Sequence, residues 1–594
     1  MKSVISKLWT LFNARQKLKM VLLVFLIVGG TVLEILGIGA VVPLIVLLSQ
    51  PDAIQDNQIL QQFQQWFQPD STQSLLLLTL AGVIFVFMIK NIYLFGVVYY
   101  QSRFLYNQMI EIASRLYKTY LQAPYSFHQK QNSAQLLRNI QMTELLVQGV
   151  MSPIVVCFSE GLVGLCIFIL LTWINPVAAF FITFALSMFL GLFFMVVRKK
   201  LYHLGEANKD LHGLAIQHVM QGLGSIKEIK ILGRESFFHR AFTSQHEKFI
   251  RSALSYERIA QCPRLYIEFA TIFTILGTLM IILTRSKDFH ATLISFSLFL
   301  VAAVRMMPSA NRVGGALSML QFNLPKLHVI HDQLSQRKSD IDFSEDGAKD
   351  PIPFINSIEL TNVLFQYETG DEPAIRNVSL TIPRNSTVGF VGPSGAGKTT
   401  LIDLIIGVNK PRSGNIYVDG RDIHEELSSW QCQIGYIPQT IYLADNTIKS
   451  NIAFGIPDSE IDEDKVWSAL ALVQLKEFVQ NQPDGLNTAI GEHGTLLSGG
   501  QRQRIGNARA IYHEPKILIM DEATAALDNE TEQAFMDGIE ELRDQKTILL
   551  IAHRLSTVKN CDIIFFLKNG QLIAQGKFDE LMEENPDFRK MAHA

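Results

Sequence analysis

Roughly the first 310 residues carry six apolar segments, at about 20–48, 75–100, 145–173, 176–197, 269–284 and 292–304. Several exceed the ~20 residues that a helix needs to cross ~30 Å of hydrocarbon, and this restricts the half to membrane-spanning helices. The last two are short and count as spans if their helices continue into water. A mean hydropathy of +0.20 is high for a soluble protein, yet the excess is uneven, because roughly the last 240 residues read as an ordinary soluble α/β domain. At 594 residues the chain needs several domains. Its net charge of −3 offers no global field for nucleic acid.

Orientation follows from lysine and arginine. Five precede the first span (Lys2, Lys7, Arg15, Lys17, Lys19) and none lies between Gln50 and Ser74. The 101–144 connection carries five and the 198–262 connection eleven, whereas the outer 285–291 loop has only Arg285 and Lys287. Both termini and the long connections are therefore expected in the cytoplasm, with six spans and the soluble half cytoplasmic. Connections of this length without structure are unusual, so they are expected to continue the membrane helices into the cytosol as long hairpins. Ile59, Leu60, Phe63, Trp66 and Phe67 make 51–70 an amphipathic helix, lying on the outer membrane surface or packed on the protein itself. The N-terminus lacks the short apolar core and cleavage site of a removable signal peptide. The five cysteines have no paired or metal-like spacing and read as reduced thiols or core fillers.

Ionisable residues in a span cost about 2.5–3.5 kcal/mol each at mid-bilayer, so each asks for a reason. Glu34, Lys90 and Glu160 lie within spans, and Arg264, Glu268 and Arg305 at the inner ends of the last two. Lys90 is 15 residues in from 75, about 22 Å, and Arg305 is 13 residues in from 292, about 20 Å. Arg264 precedes an outward-running span and is near the inner leaflet too. Three cations at similar depth can line a cavity that accepts an anionic head group, or they can snorkel to inner-leaflet phosphates. Both readings stay open.

In the soluble half, Gly392-Pro393-Ser394-Gly395-Ala396-Gly397-Lys398-Thr399 fits the P-loop pattern at every fixed position. A buried strand, Thr387–Val391, leads into it, and a helix from Thr400 leads out. The glycines let backbone N–H groups converge on phosphate oxygens at a helix N-terminus, so the chain binds a nucleotide. Lys398 would reach the β- and γ-phosphates and the Thr399 hydroxyl would hold Mg²⁺. Ile517–Met520 reads as a buried strand that delivers Asp521 to Mg²⁺ and Glu522 to the γ-phosphate, where it can polarise the attacking water. His553, after the strand Thr547–Ala552, can contact the γ-phosphate from the other side. Gln439, after Gly435–Pro438, can touch both Mg²⁺ and the membrane half. Tyr367 can stack on adenine or be simply core. Ser498, Gly499, Gly500 and Gln501, before a helix starting near Arg502, form a second phosphate cradle. One P-loop suffices to bind ATP, so this cradle is expected to close on ATP held by another copy.

With these residues in place, the chain resembles an ABC transporter of the exporter type over nearly its whole length. The P-loop, Gln439, Leu497–Gln501, Asp521-Glu522, Ala526-Leu527-Asp528 and His553 follow that family's order and approximate spacing. The resemblance implies an α-helical six-span ABC exporter-type transmembrane domain (1–321) fused to an α/β P-loop ABC ATPase domain (353–594), with a charged linker at 322–352. It implies Asp528 at the ATP site and cytoplasmic coupling loops near 120–130 (Ala123–Phe127) and 220–232 (Gly224–Lys230). It implies a homodimer that sandwiches two ATP with Mg²⁺, Ser498 of one copy completing the site built on Lys398 of the other.

Pro263–Glu268 and Arg305–Arg312 also resemble segments of bacterial flippases for lipid-linked oligosaccharides. That narrower resemblance implies a homodimer in the bacterial inner membrane with a polyprenyl-pyrophosphate substrate held by basic residues at Arg264, Arg305 and Lys90. At Lys90 the family has an arginine, and a lysine keeps the charge while losing the planar fork that grips phosphate with two hydrogen bonds. An exporter of lipid A, a peptide or drugs would need no such cations. An ATP-gated channel or regulatory subunit would not need intact Glu522 and His553.

Overall fold

The computed structural model describes residues 2–49, 72–174, 176–285, 289–335, 351–368, 370–521, 529–540, 543, 545–552 and 555–592. The chain divides into two compact units, one of Met1–Ala123 with Phe127–Ile341, the other of Pro124–Ser126 with Asp342–Ala594.

The described part of the first unit is built from helices: α1 (Lys2–Leu11), α2 (Ala14–Ser49), α3 (Thr72–Leu121), α4 (Tyr125–Lys130, whose first two residues are counted with the second unit), α5 (Ser133–Leu146), α6 (Ser152–Ile174), α7 (Pro176–Gly224), α8 (Ile226–Leu232), α9 (Glu235–Arg285) and α10 (Phe289–Ser335). The 50 residues of α3 rise about 75 Å, far more than a bilayer needs, so the long connections do continue the apolar helices as hairpins. Each hairpin turns through a short helix, α4 in one and α8 in the other. The two short apolar segments belong to α9 and α10, each of which runs on well beyond them. Among the described residues, three stretches are long and apolar enough to cross a membrane: Ala14–Gly37, Gln73–Leu121 and Ser133–Leu170. The amphipathic segment expected at 51–70 lies outside the described residues.

A π turn, Val147–Met151, joins α5 to α6. Pro153 withdraws the N–H that an α-helix would offer the Gly149 carbonyl, and the ladder widens there. Gly149 also lies under α10, where a Cβ would come within 2.4 Å of the Asn323 side chain.

The stretch 322–335, expected as the start of a linker, is instead the end of α10. Leu320, Leu327, Ile330 and Leu334 are buried at helical spacing, and Leu327 and Ile330 have no exposed surface at all. Their burial with Leu8, Leu116, Tyr120 and Leu146 outweighs the polar character of the segment. The acidic run Asp340–Asp346 lies outside the described residues.

Among the described glycines the tightest backbone approach is at Gly205 of α7, where a Cβ would lie 1.9 Å from the carbonyl oxygen of Phe322. Phe322 in turn stacks on Tyr256 of α9, with ring centroids 4.1 Å apart. A carbonyl in a helix cannot swing aside, so Gly205→Val is expected to cost stability at the upper end of overpacking, about 3 kcal/mol. Thermal unfolding of the detergent-solubilised protein reads this as a fall of about 5 °C or more, and an unchanged midpoint would show that the helices can part at no cost.

The second unit holds two sheets. β1 (Ser357–Phe365), β2 (Ile375–Pro383), β4 (Ser413–Val418) and β5 (Arg421–Asp422) form an antiparallel sheet in the order β2-β1-β4-β5. The other sheet runs β10-β9-β3-β8-β7-β6, from β3 (Thr387–Val391), β6 (Ile434–Ile437), β7 (Ile517–Asp521), β8 (Thr547–Ile551), β9 (Ile563–Lys568) and β10 (Gln571–Gly576). β3, β6, β7, β8 and β9 are parallel, and β7 and β8 are buried at every residue. That is why their sequences are continuous apolar runs. Ile517 and Ile519 pack on one face with Phe390 and Leu401, and Leu518 and Met520 on the other with Val391 and Ile505.

Candidate functional site

The site is assembled at the C-terminal edge of the parallel sheet, where doubly wound folds bind ligands. The chain leaves β3 at Val391, crosses the glycine-rich loop and enters helix α11 (Lys398–Ile406). Two glycines are fixed by contact as well as by backbone angle. Gly392 has φ +152° and a Cβ there would sit 2.1 Å from the Leu567 carbonyl oxygen; Gly397 has φ +98° and would meet the Ala374 carbonyl at 2.9 Å. Pro393, Ser394 and Gly395 are exposed at the tip, and Ala396 is buried beneath it. Lys398 is buried, and its ammonium folds across the loop to donate to the carbonyls of Gly392 (2.8 Å) and Pro393 (3.2 Å). It thus holds a positive charge at the mouth of a ring of backbone N–H groups, which suits a polyphosphate.

Thr399 and Asp521 come together next to this loop. The Thr399 hydroxyl lies 3.5 Å from an Asp521 carboxylate oxygen, and register pairs Asp521 with Ile551 across β7 and β8. A hydroxyl and a carboxylate converging beside a phosphate cradle are hard oxygen donors of the kind Mg²⁺ takes. Gln439 is exposed two residues past β6, whose Ile437 pairs with Met520, so it stands at the same sheet edge. Tyr367 lies beyond the end of β1 and not within it; its hydroxyl is 3.0 Å from that of Thr400, and its ring packs edge-on to Phe365. Glu522, Asp528 and His553 lie outside the described residues.

Burial and, next, the neighbouring Asp521 push the Asp403 carboxyl up to about 6. Burial, with Asp521 and Asp403 close by, also raises the Tyr436 hydroxyl. A carboxyl whose folded pKa exceeds its unfolded value favours the fold when protonated, and this advantage is lost as pH rises through about 6. Asp403→Asn is therefore expected to raise the unfolding midpoint at neutral pH by about 2–4 °C. The gain should shrink as pH falls from 6 towards 4, and a gain independent of pH would contradict this cause.

Ser498 to Gln501 occupy the start of helix α12 (Gly499–Tyr512) and bond to one another. The Ser498 hydroxyl accepts from the Gln501 N–H at 3.2 Å, and the Gln501 side chain accepts from the Ser498 N–H at 2.8 Å. Gly499 is exposed, and a Cβ there would meet no described residue within 4 Å.

The three expected cavity cations fare differently. Lys90 is buried in α3, its ammonium 4.4 Å above the Phe87 ring and its stem against Gly37 of α2. Arg264 is exposed on α9, beside Pro263, which packs against Gly314 of α10. Arg305 is in α10, and its side chain lies outside the description. The sequence reading passed over Arg312, seven residues on and so on the same helix face as Arg305. Its guanidinium grips Glu160 of α6 through two contacts, 2.6 Å and 3.2 Å. Since Gly314 packs on Pro263, Arg312 and Arg264 are at one level of the bundle. The heptad spacing from Arg305 was the available signal.

Residues 375–525 match the family model "ABC transporter", and residues 53–307 match "ABC transporter transmembrane region". The chain is 28% identical over 508 residues to an ATP-dependent lipid A-core flippase of Ralstonia nicotianae, covering 85% of each. It is 30% identical to the protein of the same name from Francisella tularensis subsp. tularensis, covering 80% of this chain and 78% of that one. The structure of a bacterial Atm1-family ABC exporter with ATP bound superposes with a TM-score of 0.78 at 22% identity, covering 98% of both chains. That a helical membrane domain and an ATPase domain with an intact phosphate cradle share one chain, across relatives matched nearly end to end, settles the assignment. The chain belongs to the ABC transporters, as an exporter-type transport ATPase of the membrane.

Proposed function

We propose that two copies of this chain form an ATP-driven flippase of the bacterial inner membrane. It moves an amphipathic lipid with an anionic head group, of the polyprenyl-pyrophosphate oligosaccharide kind, from the inner to the outer side. Each copy contributes six spans, and both ATPase domains are cytoplasmic. The observation that carries the reading is the level shared by Arg264 and Arg312, with Arg305 two helical turns away on the same face. Basic groups at membrane depth are costly unless they meet charge; Arg312 meets Glu160, and a pyrophosphate would supply charge to Arg264 and Arg305. Lys90, buried against Phe87, is better placed to set the local field than to touch the lipid. A second reading, lipid A-core as cargo, draws on the names of the relatives.

In hydrolysis the backbone N–H groups from Ser394 to Thr400 hold the phosphates and Lys398 balances their charge. Thr399, Asp521 and Gln439 would hold Mg²⁺, which when bound offsets charge on the phosphate oxygens. Glu522 would orient and deprotonate the attacking water, and His553 would contact the γ-phosphate. Tyr367 lies beside the adenine and Asp528 belongs to the ATP site, while Ser498–Gln501 close the site from the second copy.

The test is ATPase activity of the protein in lipid discs, with polyprenyl-pyrophosphate oligosaccharide or lipid A-core added. Stimulation by the first is expected, with the half-saturating concentration raised about tenfold or more in Arg305→Ala, the loss of one charge-assisted contact. Stimulation by lipid A-core alone would establish the second reading, and indifference of Arg305→Ala would remove the cation cavity.

A further inference from the structure

α1 is apolar on two faces about 100° apart, and among the described residues only one of them is packed. Val4, Leu8, Leu11 and Phe12 are buried against α3 and α10. On the other face Ile5 and Trp9 are 49% and 41% exposed, and the exposed apolar surface continues onto α2 at Leu18 and Phe25. The charge along this stretch of chain is mostly of one sign: Arg15, Lys17 and Lys19 follow α1, and no Asp or Glu occurs before Glu34, while the acidic Glu111 of α3 accepts from the Asn13 side chain at 2.9 Å. The Lys17 ammonium lies 5.2 Å over the Trp9 ring. Tryptophan and isoleucine left outside, rimmed by cations and continuous with a membrane-spanning helix, match the surface of a bilayer that carries negative head groups.

Lys7 faces the other way. Its ammonium is 2.9 Å from His328 Nδ1 and 3.7 Å from an Asp332 oxygen, both in the last turns of α10. Asp332 also accepts from His331, and the Leu11 carbonyl is held by Arg115 of α3 at 2.8 Å. α1 is thereby keyed to the end of α10, the helix after which the chain runs on to the ATPase domain.

We infer that α1 is a sensor of anionic phospholipid: head groups of the inner leaflet bind its basic, apolar outer face, and the Lys7–Asp332 contact passes the occupancy to α10 and raises ATP hydrolysis. This goes beyond the transported cargo and does not depend on it.

The experiment compares ATPase rates of the full-length protein in discs of phosphatidylcholine and in discs with phosphatidylglycerol mixed in, with no cargo added. The wild type is expected to run severalfold faster in the mixed discs. The combined variant Arg15→Gln, Lys17→Gln, Lys19→Gln is expected to show the same rate in both. Asp332→Asn should also lose the difference while its outer face still engages the lipid. That engagement is read from the tryptophan emission absent in a Trp9→Phe protein, which brominated phosphatidylglycerol should quench more than brominated phosphatidylcholine. A wild-type ratio in either variant overturns the inference, and so does an equal rise with soluble glycerol phosphate. Absence of ATPase activity in any lipid would instead strike at the transporter reading itself, so the two failures are distinguishable.

Discussion

Lys398→Ala is expected to lower ATP hydrolysis by about 100-fold or more, the scale on which single preorganised charge-stabilising groups act. The ammonium is buried and bonded to the Gly392 and Pro393 carbonyls, so it stands at the loop before nucleotide arrives. A group already in place needs little reorganisation when negative charge is brought to it, and its removal acts on binding and chemistry together. The same bonds define the structural cost. The variant frees two carbonyls, one belonging to exposed Pro393, which water can satisfy, so unfolding should shift by only about 2–3 °C. Lys398→Arg is no rescue, because a planar fork does not fit a pocket shaped for a point charge. Steady-state phosphate release and thermal unfolding on the same preparations check this. A hydrolysis loss matched by a large fall in the midpoint would turn the lysine into a structural residue only.

What could be read in advance and what could not divide along a physical line. The P-loop, the strand ending at Asp521 and the helix after Ser498 were legible because local chemistry fixes them: glycine where φ is positive, apolar runs where a strand is buried on both faces, free N–H groups at a helix start; the helix begins at Gly499, though, and not near Arg502 as expected. The capping box of Ser498 and Gln501 was legible too, as a serine three residues before a glutamine, though the glycines drew the reading to phosphate alone. The end of α10 was misread because composition along the chain hides a buried stripe: Leu327, Ile330 and Leu334 fall between polar residues, and only their spacing shows a helix. The Arg312–Glu160 pair was out of reach for another reason. Depth counted from the start of an apolar segment assumes that the segment begins at the membrane. Glu160 stands level with Arg312 because the two side chains touch, a pairing between α6 and α10 that position within either segment does not show.

Ser498→Asp separates the two tasks of that residue. As helix cap its hydroxyl accepts the Gln501 N–H, and its own N–H is held by the Gln501 side chain. Aspartate caps as well as serine does and adds favourable charge at the positive end of α12, so the fold should keep its midpoint to within about 1–2 °C. Alanine would remove the cap at a cost of about 1 kcal/mol. For ATP the order reverses. A carboxylate in place of the hydroxyl brings like charge against a γ-phosphate held by the second copy, and hydrolysis should fall about 100-fold or more, beyond the loss in Ser498→Ala. The exposed Gly499, with no described residue within reach of a Cβ, is the reason to expect that phosphate from another copy. A linked dimer with Ser498→Asp in one half and Lys398→Ala in the other checks the geometry. If the cradle acts across the dimer, both lesions fall on one site and the second site stays complete. If it acts within its own chain, each half is damaged and hydrolysis should drop to the level of the doubly substituted protein. Comparing that linked dimer with one carrying both substitutions in the same half decides between the two arrangements, because the expected order of the rates inverts.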